Sequence, residues 1–246
     1  MFSIKKQELQ KLVDKKLTDT EIGKLYNVSQ QVIYYHRLKV HKINRKSLRT
    51  HIPYNLNKTQ MELIFGTVLG DGYLKNKKYD LGTSLMCAHS TKQEDYVKYK
   101  ASFFSNKHYS LKNYTRITPN KITNKIYTTT LLSFKANENL NYFHEKFYID
   151  NKKVIPIDLL EKYYTPLAMS IHFMDDGSKV GNSGYMLHTC SFLKENIKEF
   201  MNFLKIKYNV ETSLQTLNRL YIRKKSKEVF KKTVKPYICN SMLYKL

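Results

Sequence analysis

The sequence predicts an α+β fold made of two similar units, each with the element order αββαββα, behind a short α-helical segment. The helical and strand-like patterns of residues 53–150 recur in the same order in residues 151–246, as expected for an internal repeat. Each unit opens on an apolar run that ends in an acid and a glycine, "LIFGTVLGDG" and "LAMSIHFMDDG". Residues 1–50 share neither feature and are predicted to form a separate segment.

Residues 1–50 carry the pattern of two short helices joined by a tight turn. Thr18 and Glu21 form a capping-box pair at the start of the first helix, and Ser29 is suited to cap the second. The arrangement resembles a helix-turn-helix, whose second helix enters the major groove of DNA. An ordinary helical hairpin fits the pattern equally well, but the basic run "HRLKVHKINRKSLRTH" behind it favours DNA. The side chains predicted to face DNA are Gln30, Gln31, Tyr34 and Arg37.

Helices and strands alternate in both units. In the first, a helix over 58–70 precedes the strand-like "YDLGTSLMCAH", a helix in "STKQEDYVKYKASFF", two further strands and a helix over 139–148. In the second, the helix "TPLAMSIHFMDD" precedes the same series, which ends with a helix in "SKEVFKKTVKPYI". The segment "DNKKVIP" is the predicted linker between the units.

The charge of the chain indicates a polyanionic partner. Its 43 Lys and Arg against 20 Asp and Glu give a formal net charge of +23, which disfavours the compact state unless a polyanion neutralises it. The compositional bias of an AT-rich genome explains part of the lysine content but not the scarcity of acids. Nucleic acid is therefore the expected partner.

The cysteines and the apolar runs bear on the cellular compartment. Cys87, Cys190 and Cys239 form no CxxC pair and no even disulfide framework, which suits a reducing environment. The start "MFSIKKQELQ" lacks a signal-peptide pattern, and the apolar run over 63–69 is too short to span a bilayer. The sequence therefore predicts a soluble intracellular protein without a membrane partner, in the cytoplasm of a bacterial or phage-infected host or in an organelle matrix.

The two acid–glycine pairs are candidates for a metal site. Asp71 and Asp176 take equivalent places at the C-terminal ends of the two apolar helices, where the helix macrodipole disfavours negative charge. A lone Asp-Gly pair is most often a turn. Two such acids at matching positions of a repeat would repel each other if they met, and a divalent cation would relieve that repulsion. Carboxylate and carbonyl oxygens suit Mg²⁺, and Mn²⁺ is expected to substitute for it.

These motifs resemble those of the LAGLIDADG homing endonucleases. "FGTVLGDGY" and "SIHFMDDGS" are similar to the two copies of the signature helix. "NKKVIP" and the terminal "ICNSMLYKL" resemble the monomeric two-motif type, similar to the omega-intron mitochondrial endonuclease. The resemblance covers roughly residues 53–246, so residues 1–50 look like an added module. Leu69 and Met174 replace the first acid of the name-giving motif, and only the last acid remains in each copy.

The resemblance implies a monomer in which the two signature helices pack side by side and the two sheets form a DNA-binding saddle. It implies site-specific, metal-assisted cleavage of double-stranded DNA at a long, largely asymmetric target, with one phosphodiester hydrolysed on each strand. Asp71 and Asp176 would bind the metal directly, with the carbonyls of Gly70 and Asp175 as helpers. Asp175 competes with Asp176 for the ligand role, but Asp176 directly precedes a glycine, as Asp71 does. The implied catalytic residues are Asp71, Asp176, Lys153 and Lys245.

Strand alternation and basic loops predict where DNA is contacted. In "LNRLYIRKK", Leu220 and Ile222 are expected to point inward and their neighbours outward. A β-ribbon can enter the major groove, where Arg reads guanine and Gln reads adenine. For any single lysine, a solvated charged surface is the alternative interpretation. The predicted contact residues of the two units are Lys75, Lys77, Lys78, Lys121, Lys125, Ser213, Gln215, Arg219, Tyr221 and Arg223.

Two other functions and two other side-chain groups are weighed against this prediction. An intron RNA maturase has the same basic surface, because phosphates dominate the binding of RNA and DNA alike. A DNA-binding regulator without cleavage activity keeps the scaffold, but the presence of both acids and both lysines argues against it. Zinc held by the pairs Cys87–His89 and His188–Cys190 lacks the ligand spacing of a structural site. His172, in the middle of the second signature helix, is expected to be a packing residue.

Overall fold

The computed structural model describes residues 2–15, 17–43, 54–76, 82–117 and 126–246. The chain forms two compact units, Met1–Ile52 and Pro53–Leu246. Helices and antiparallel sheets together confirm the predicted α+β class. Across the described ranges, no helix is long and apolar enough to cross a membrane.

The N-terminal unit contains short helices around an apolar core of its own. They are α1 (Lys6–Asp14), α2 (Asp19–Leu25) and α3 (Gln30–Tyr35), and the last continues as a π-helical segment, His36–Val40. The predicted capping box of Thr18 and Glu21 is present at the start of α2. Ser29 occupies the N-cap position of α3, but its side chain makes no capping hydrogen bond. The core consists of Ile4, Leu9, Val13, Ile22, Ile33 and Ile43.

The first half of the C-terminal unit (residues 53–150) follows the predicted order of elements. Its helices are α4 (Lys58–Leu69), α5 (Glu94–Ser102) and α6 (Asn139–Phe147). Its strands are β1 (Tyr73–Asn76), β2 (Thr83–Ser90), β3 (Tyr109–Ile117) and β4 (Ile126–Phe134). They form an antiparallel sheet in the order β1-β2-β4-β3. Two-residue alternation buries Leu85, Cys87 and His89 of β2 on the inner face of this sheet.

A short connection leads into the second half of the unit (residues 151–246). It consists of a hairpin of β5 (Tyr148–Ile149) and β6 (Lys152–Lys153), followed by α7 (Ile157–Tyr163), a helix that was not predicted. The remaining helices are α8 (Pro166–Asp176), α9 (Lys194–Tyr208) and α10 (Lys227–Val234). The strands are β7 (Gly177–Val180), β8 (Gly184–Leu187), β9 (Thr212–Gln215) and β10 (Arg219–Ile222). Their order, β7-β8-β10-β9, repeats the connectivity of the first sheet.

The helices α4 and α8 pack against each other, and one apolar core spans both halves. A Cβ atom at Gly66 would lie 2.3 Å from the carbonyl oxygen of Ala168, so a glycine is required for the two backbones to approach this closely. A Cβ atom at Gly70 would lie 2.4 Å from the Cβ of Asp175. The close packing of the two signature helices brings their C-terminal ends together.

Candidate active site and nucleic-acid surface

The two acids at the ends of the central helices lie close enough to repel each other. Asp71 directly follows the C-cap of α4, and Asp176 is the last residue of α8. Burial and then the charge of Asp71 raise the pKa of Asp176 to about 7. Burial and then the charge of Asp175 raise the pKa of Asp71, whose side chain keeps 41% of its surface exposed. The structure therefore places Asp176 within reach of the Asp71 charge.

Each of the two helix ends also holds a lysine. Lys153 of β6 donates from Nζ to the carbonyl oxygen of Gly70 at 2.9 Å. Lys245, near the C-terminus, donates from Nζ to the carbonyl oxygens of Met174 and Asp175, the latter at 3.2 Å. Burial lowers the pKa of both lysines, against the opposing effect of the nearby acids. The two lysines thus take equivalent positions, and the two carbonyls predicted as metal helpers each accept a lysine hydrogen bond.

The carboxylate of Asp175 is buried and hydrogen-bonded to interior side chains. It accepts hydrogen bonds from the Nζ of Lys100, at 2.6 and 2.9 Å, and from the hydroxyl of Tyr96 at 2.7 Å. Neither Asp175 nor Lys100 has any exposed side-chain surface. Burial opposes ionisation of Asp175, but the Lys100 charge outweighs it and holds the pKa of this carboxyl below its ordinary value. Because its oxygens are occupied in this way, Asp175 is a weaker candidate for a metal ligand than Asp176.

The described residues near the acids include a group of three potential metal ligands. One ligand atom from each of Asp71, His89 and Asp175 lies within 4.8 Å of the others. The Lys100 ammonium, however, lies 3.2 Å from Nε2 of His89, so a cation bound by that group would be repelled by a neighbouring positive charge. Asp71 and Asp176 are carboxyls whose pKa values are raised by burial first and by a neighbouring carboxylate second. Carboxylate oxygens are the ligands that a hard cation such as Mg²⁺ prefers.

We expect Mg²⁺ or Mn²⁺ to raise the melting temperature more at pH 8 than at pH 5.5. An acid whose pKa is raised on folding stabilises the folded state at low pH. Asp176 loses that contribution as the pH rises from its ordinary value of 3.8 through about 7. A bound cation replaces the proton and restores the stability. At a hundredfold excess over its Kd, the bound cation raises the free energy of unfolding by about 2.7 kcal/mol. Each kcal/mol raises the melting temperature by about 2–4 °C in a chain of this size.

Thermal unfolding followed by circular dichroism checks this prediction. The double variant Asp71→Asn/Asp176→Asn should lose most of the metal response at pH 8. The variant Asp150→Asn, which changes an exposed acid outside the site, should keep it. An equal metal response at both pH values, or a full response in the double variant, would show that the cation binds elsewhere.

Comparison with known proteins identifies the family. A sequence model of the LAGLIDADG DNA endonuclease family matches residues 61–232. The chain belongs to this family. It is 33% identical over 203 residues to the probable intron-encoded endonuclease 1 of Wickerhamomyces canadensis, covering 78% of this chain and 85% of that protein. It is 30% identical over 200 residues to the cytochrome b mRNA maturase bI2 of Debaryomyces hansenii, covering 78% of this chain and 74% of that protein.

A solved structure supports the same assignment at the level of the fold. The homing endonuclease I-WcaI bound to its DNA recognition sequence superposes with a TM-score of 0.71 at 28% identity. The match covers 78% of this chain and 88% of that chain. The predicted LAGLIDADG homing endonuclease family, fold and enzyme class are confirmed, and the chain is a DNA endonuclease of this family.

In this LAGLIDADG endonuclease, the second sheet presents polar residues on its outer face. Leu220 and Ile222 of β10 are fully buried, so the alternation of this strand is as predicted. Gln215 donates to the hydroxyl of Ser213 at 3.0 Å, and the two side chains share a face. Their contact with DNA stays a prediction. The predicted contact residues found exposed or half-exposed here are Ser213, Gln215, Arg219, Tyr221 and Arg223.

The outer face of the first sheet carries tyrosines that were not predicted as contact residues. Tyr73, Tyr114 and Tyr127 expose 46%, 49% and 54% of their surface. Lys75 is exposed on β1, two residues beyond Tyr73 and on the same face. The two-residue alternation of "YSLKNYTRI" is the signal that could have identified Tyr114. The predicted residues outside the described ranges are Lys77, Lys78, Lys121 and Lys125.

Arg37 is predicted to face DNA, but the structure buries its side chain inside the N-terminal unit. Its Nη2 lies 2.9 Å from Oδ2 of Asp19 in a buried ion pair, and its Nη1 donates to the carbonyl oxygen of Ile43 at 3.0 Å. The guanidinium therefore ties α3 to α2 and to the chain beyond it. The remaining predicted residues of α3, which are exposed, are Gln30, Gln31 and Tyr34.

Burial bears on the expectation for His172, and the grouping of potential metal ligands bears on the zinc alternative. His172 is fully buried, its Nδ1 lies 3.1 Å from the hydroxyl of Tyr164, and its ring packs against Phe200, which confirms a packing role. Burial lowers its pKa to about 4. Over the described ranges, no group of three potential metal ligands includes a cysteine, so the structure gives the zinc alternative no support.

Proposed function

We propose that this chain is a site-specific homing endonuclease that uses Mg²⁺ or Mn²⁺ to hydrolyse one phosphodiester on each strand of double-stranded DNA. The observation that carries the proposal is the pair of mutually repelling acids, Asp71 and Asp176, at the ends of two packed helices. A relative named as an intron-encoded endonuclease and a homing endonuclease solved with its DNA recognition sequence support it. Because the two halves differ in sequence, one chain acts as a monomer on a long, asymmetric target.

The acids and the lysines at the two helix ends have different roles in cleavage. Asp71 and Asp176 hold the cation, since burial and mutual repulsion favour its binding over separate negative charges. When bound, the cation acts as a Lewis acid that stabilises the attacking and leaving oxygens. Lys153 and Lys245 keep their ammonium groups beside the acids through the helix-end carbonyls. From there they orient solvent and donate hydrogen bonds to phosphate oxygens.

DNA binding is assigned to the outer faces of the two sheets. The net charge of +23 supplies the sequence-independent attraction to phosphates. Arg219 and Gln215 on the second sheet have the donors that read bases in the major groove. Tyr73 and Tyr114 on the first sheet offer exposed rings and hydroxyls to the sugar–phosphate backbone.

Deleting residues 2–52 is expected to weaken DNA binding and leave the cut position unchanged. The N-terminal unit has its own core, so its removal should leave the C-terminal unit folded. If α3 contacts DNA, each lost phosphate contact lowers the slope of log K against log salt by about 0.9. Fluorescence anisotropy over a salt series measures this slope, and primer extension locates the cut. An unchanged affinity and slope would make the N-terminal unit structural only.

A second candidate function, RNA maturase activity, is favoured by one observation. The relative from Debaryomyces hansenii is named a cytochrome b mRNA maturase and is 30% identical over 200 residues. The two functions separate in a splicing assay with the host intron RNA. A maturase accelerates splicing even when Asp71 and Asp176 are replaced by asparagine, whereas an endonuclease without maturase activity leaves the splicing rate unchanged.

The endonuclease proposal is tested on the host gene itself. The full chain is incubated with Mg²⁺ and a duplex carrying the insertion junction without the intron, and in parallel with the same gene containing the intron. We expect cleavage of the intron-less duplex alone, and none in the presence of EDTA. Absence of cleavage with both Mg²⁺ and Mn²⁺, or equal cutting of the two duplexes, would contradict the proposal.

A further inference from the structure

A row of buried polar side chains leads from the second half of the unit to the catalytic acid of the first. The ammonium of Lys100 lies 2.6 Å from Oδ1 of Asp175 and 3.2 Å from Nε2 of His89. On the other side of the imidazole ring, Nδ1 of His89 lies 3.5 Å from Oδ2 of Asp71. Asp175 and Lys100 are fully buried and His89 is nearly so, while Asp71 alone reaches the surface.

The donors and acceptors in this row determine which nitrogen of His89 carries the proton. An ammonium group has donors and no acceptor, so Nε2 of His89 must accept from Lys100. A ring nitrogen that accepts a hydrogen bond carries no proton, so the imidazole in this contact is neutral. A neutral ring that accepts at Nε2 carries its proton on Nδ1, and that N–H faces the Asp71 carboxylate. Asp175 sustains the arrangement, since it is the counter-charge that keeps Lys100 ionised in the interior.

Asp175 also contacts the backbone of Asp71. Its Oδ2 accepts a hydrogen bond from the backbone N–H of Asp71 at 3.3 Å, where the chain leaves α4. This carboxylate has space because residue 70 is a glycine: a Cβ atom added at Gly70 would lie only 2.7 Å from the same oxygen. The side chain and the backbone of Asp71 are thus both held by groups that depend on one buried ion pair.

Among the residues that the structure describes, no such arrangement surrounds Asp176 in the second half of the unit. Tyr73 pairs with Met86 in the first sheet, and Ser178 pairs with Met186 in the second, which aligns the two repeats. By that alignment, the second-half counterparts of His89 and Lys100 are Thr189 and Phe200, and Gly70 is the counterpart of Asp175. Thr189 donates instead to the carbonyl oxygen of Asn218, and Phe200 is a buried packing residue. The two acids therefore have chemically different supports.

We propose that Asp175, Lys100 and His89 form a positioning relay that orients Asp71 and not Asp176, so that the rates at which the two DNA strands are cut are set separately. The inference rests on the proposed endonuclease function. His89 acts on Asp71 through the Nδ1–H dipole that faces the carboxylate across 3.5 Å, and it is not a metal ligand, because the Lys100 ammonium at its other nitrogen repels a cation. Lys100 and Asp175 act on Asp71 through His89 and through the Asp71 backbone.

The test compares two substitutions of His89 in full-length protein on a duplex with a different label on each strand. His89→Leu removes both polar ring atoms and with them the ring's hydrogen bond to the Lys100 ammonium. We expect the cutting rate of one strand to fall roughly tenfold relative to the other, the size of effect that loss of one hydrogen bond to a charged group has. His89→Gln keeps one acceptor and one donor and should restore the ratio to within about threefold of that of the unsubstituted protein. Thr189→Val, at the matched position of the second half, should leave the ratio unchanged.

A second variant keeps the inference testable if His89→Leu does not fold. Asp175→Asn/Lys100→Met removes both buried charges at once, leaves Nε2 of His89 without its donor, and should shift the strand ratio in the same direction. Equal slowing of both strands in either variant would overturn the relay. So would a shifted ratio that returns to normal at saturating Mn²⁺, since that result assigns His89 as a metal ligand. Failure of the unsubstituted protein to cut either strand would instead overturn the proposed function itself, and with it the relay.

Discussion

Replacing either Asp71 or Asp176 by asparagine is expected to abolish double-strand cleavage while DNA affinity stays almost unchanged. Each substitution removes one of the two carboxylates that a cation would neutralise, and the charge of Asp71 helps to raise the pKa of Asp176. Losing one preorganised electrostatic group costs about 10²–10³ in rate in other enzymes, and a direct ligand should cost at least the upper end. Binding is spared because it depends on the sheet faces and the net positive charge.

Cleavage of a plasmid carrying the target and anisotropy with the same target measure the two quantities side by side. Asp150→Asn is the matched control, because it makes the same change at an exposed position, with a positive φ of 49° that asparagine tolerates. It should cut at the rate of the unsubstituted protein. Full activity in either site variant would remove that acid from the catalytic assignment.

Breaking the buried ion pair of Asp175 and Lys100 is expected to destabilise the fold by about 3–5 kcal/mol, since one charge is left unpaired in the interior. Asp175→Ala and Lys100→Met should both show this loss in urea denaturation. The double variant Asp175→Asn/Lys100→Met should recover most of it, because it leaves no buried charge. Asp176→Asn should show no such loss in metal-free protein, since it removes a repelled carboxylate.

A neighbouring lysine on the same helix provides the control for this prediction. Lys98 pairs with Glu94 on the solvent side of α5, and its side chain is 58% exposed. Surface pairs of this kind contribute about 0–1 kcal/mol, so Lys98→Met should leave the stability nearly unchanged. If Lys100→Met were as mild as Lys98→Met, or if the double variant were no more stable than the single ones, Asp175 would not have the structural role assigned to it.

The sequence predicted the repeat and the two acids because both depend on local patterns. An apolar helix that ends in an acid is visible in "FGTVLGDG" without any tertiary information, and the second copy in "FMDDG" confirms its position. The choice between Asp175 and Asp176 also rested on a local feature, the following glycine. The structure supports that choice through packing, since it buries Asp175 against Lys100 and leaves Asp176 beside Asp71.

The features that were missed depend on contacts between distant parts of the chain. Nothing in "EDYVKYKAS" distinguishes Lys98 from Lys100. Lys98 nevertheless lies at the surface, whereas Lys100 is fully buried against Asp175 of the second half. Arg37 is predicted to face DNA from its place on the second helix of the helix-turn-helix-like pattern, whereas its partner Asp19 lies at the start of the preceding helix. The helix α7 escaped prediction because its seven residues are too few to show a clear period.

Mapping the two cut ends on the intron-less target tests the central claim most directly. If Asp71 and Asp176 each serve one strand of the same target, the products formed in Mg²⁺ carry one break per strand. The resemblance to the LAGLIDADG family implies that the acids act across the minor groove, which would leave short 3′ overhangs. Sequencing both ends of each product reads this stagger. Breaks confined to one strand, or two breaks that leave blunt ends or 5′ overhangs, would contradict a site built from the two helix ends.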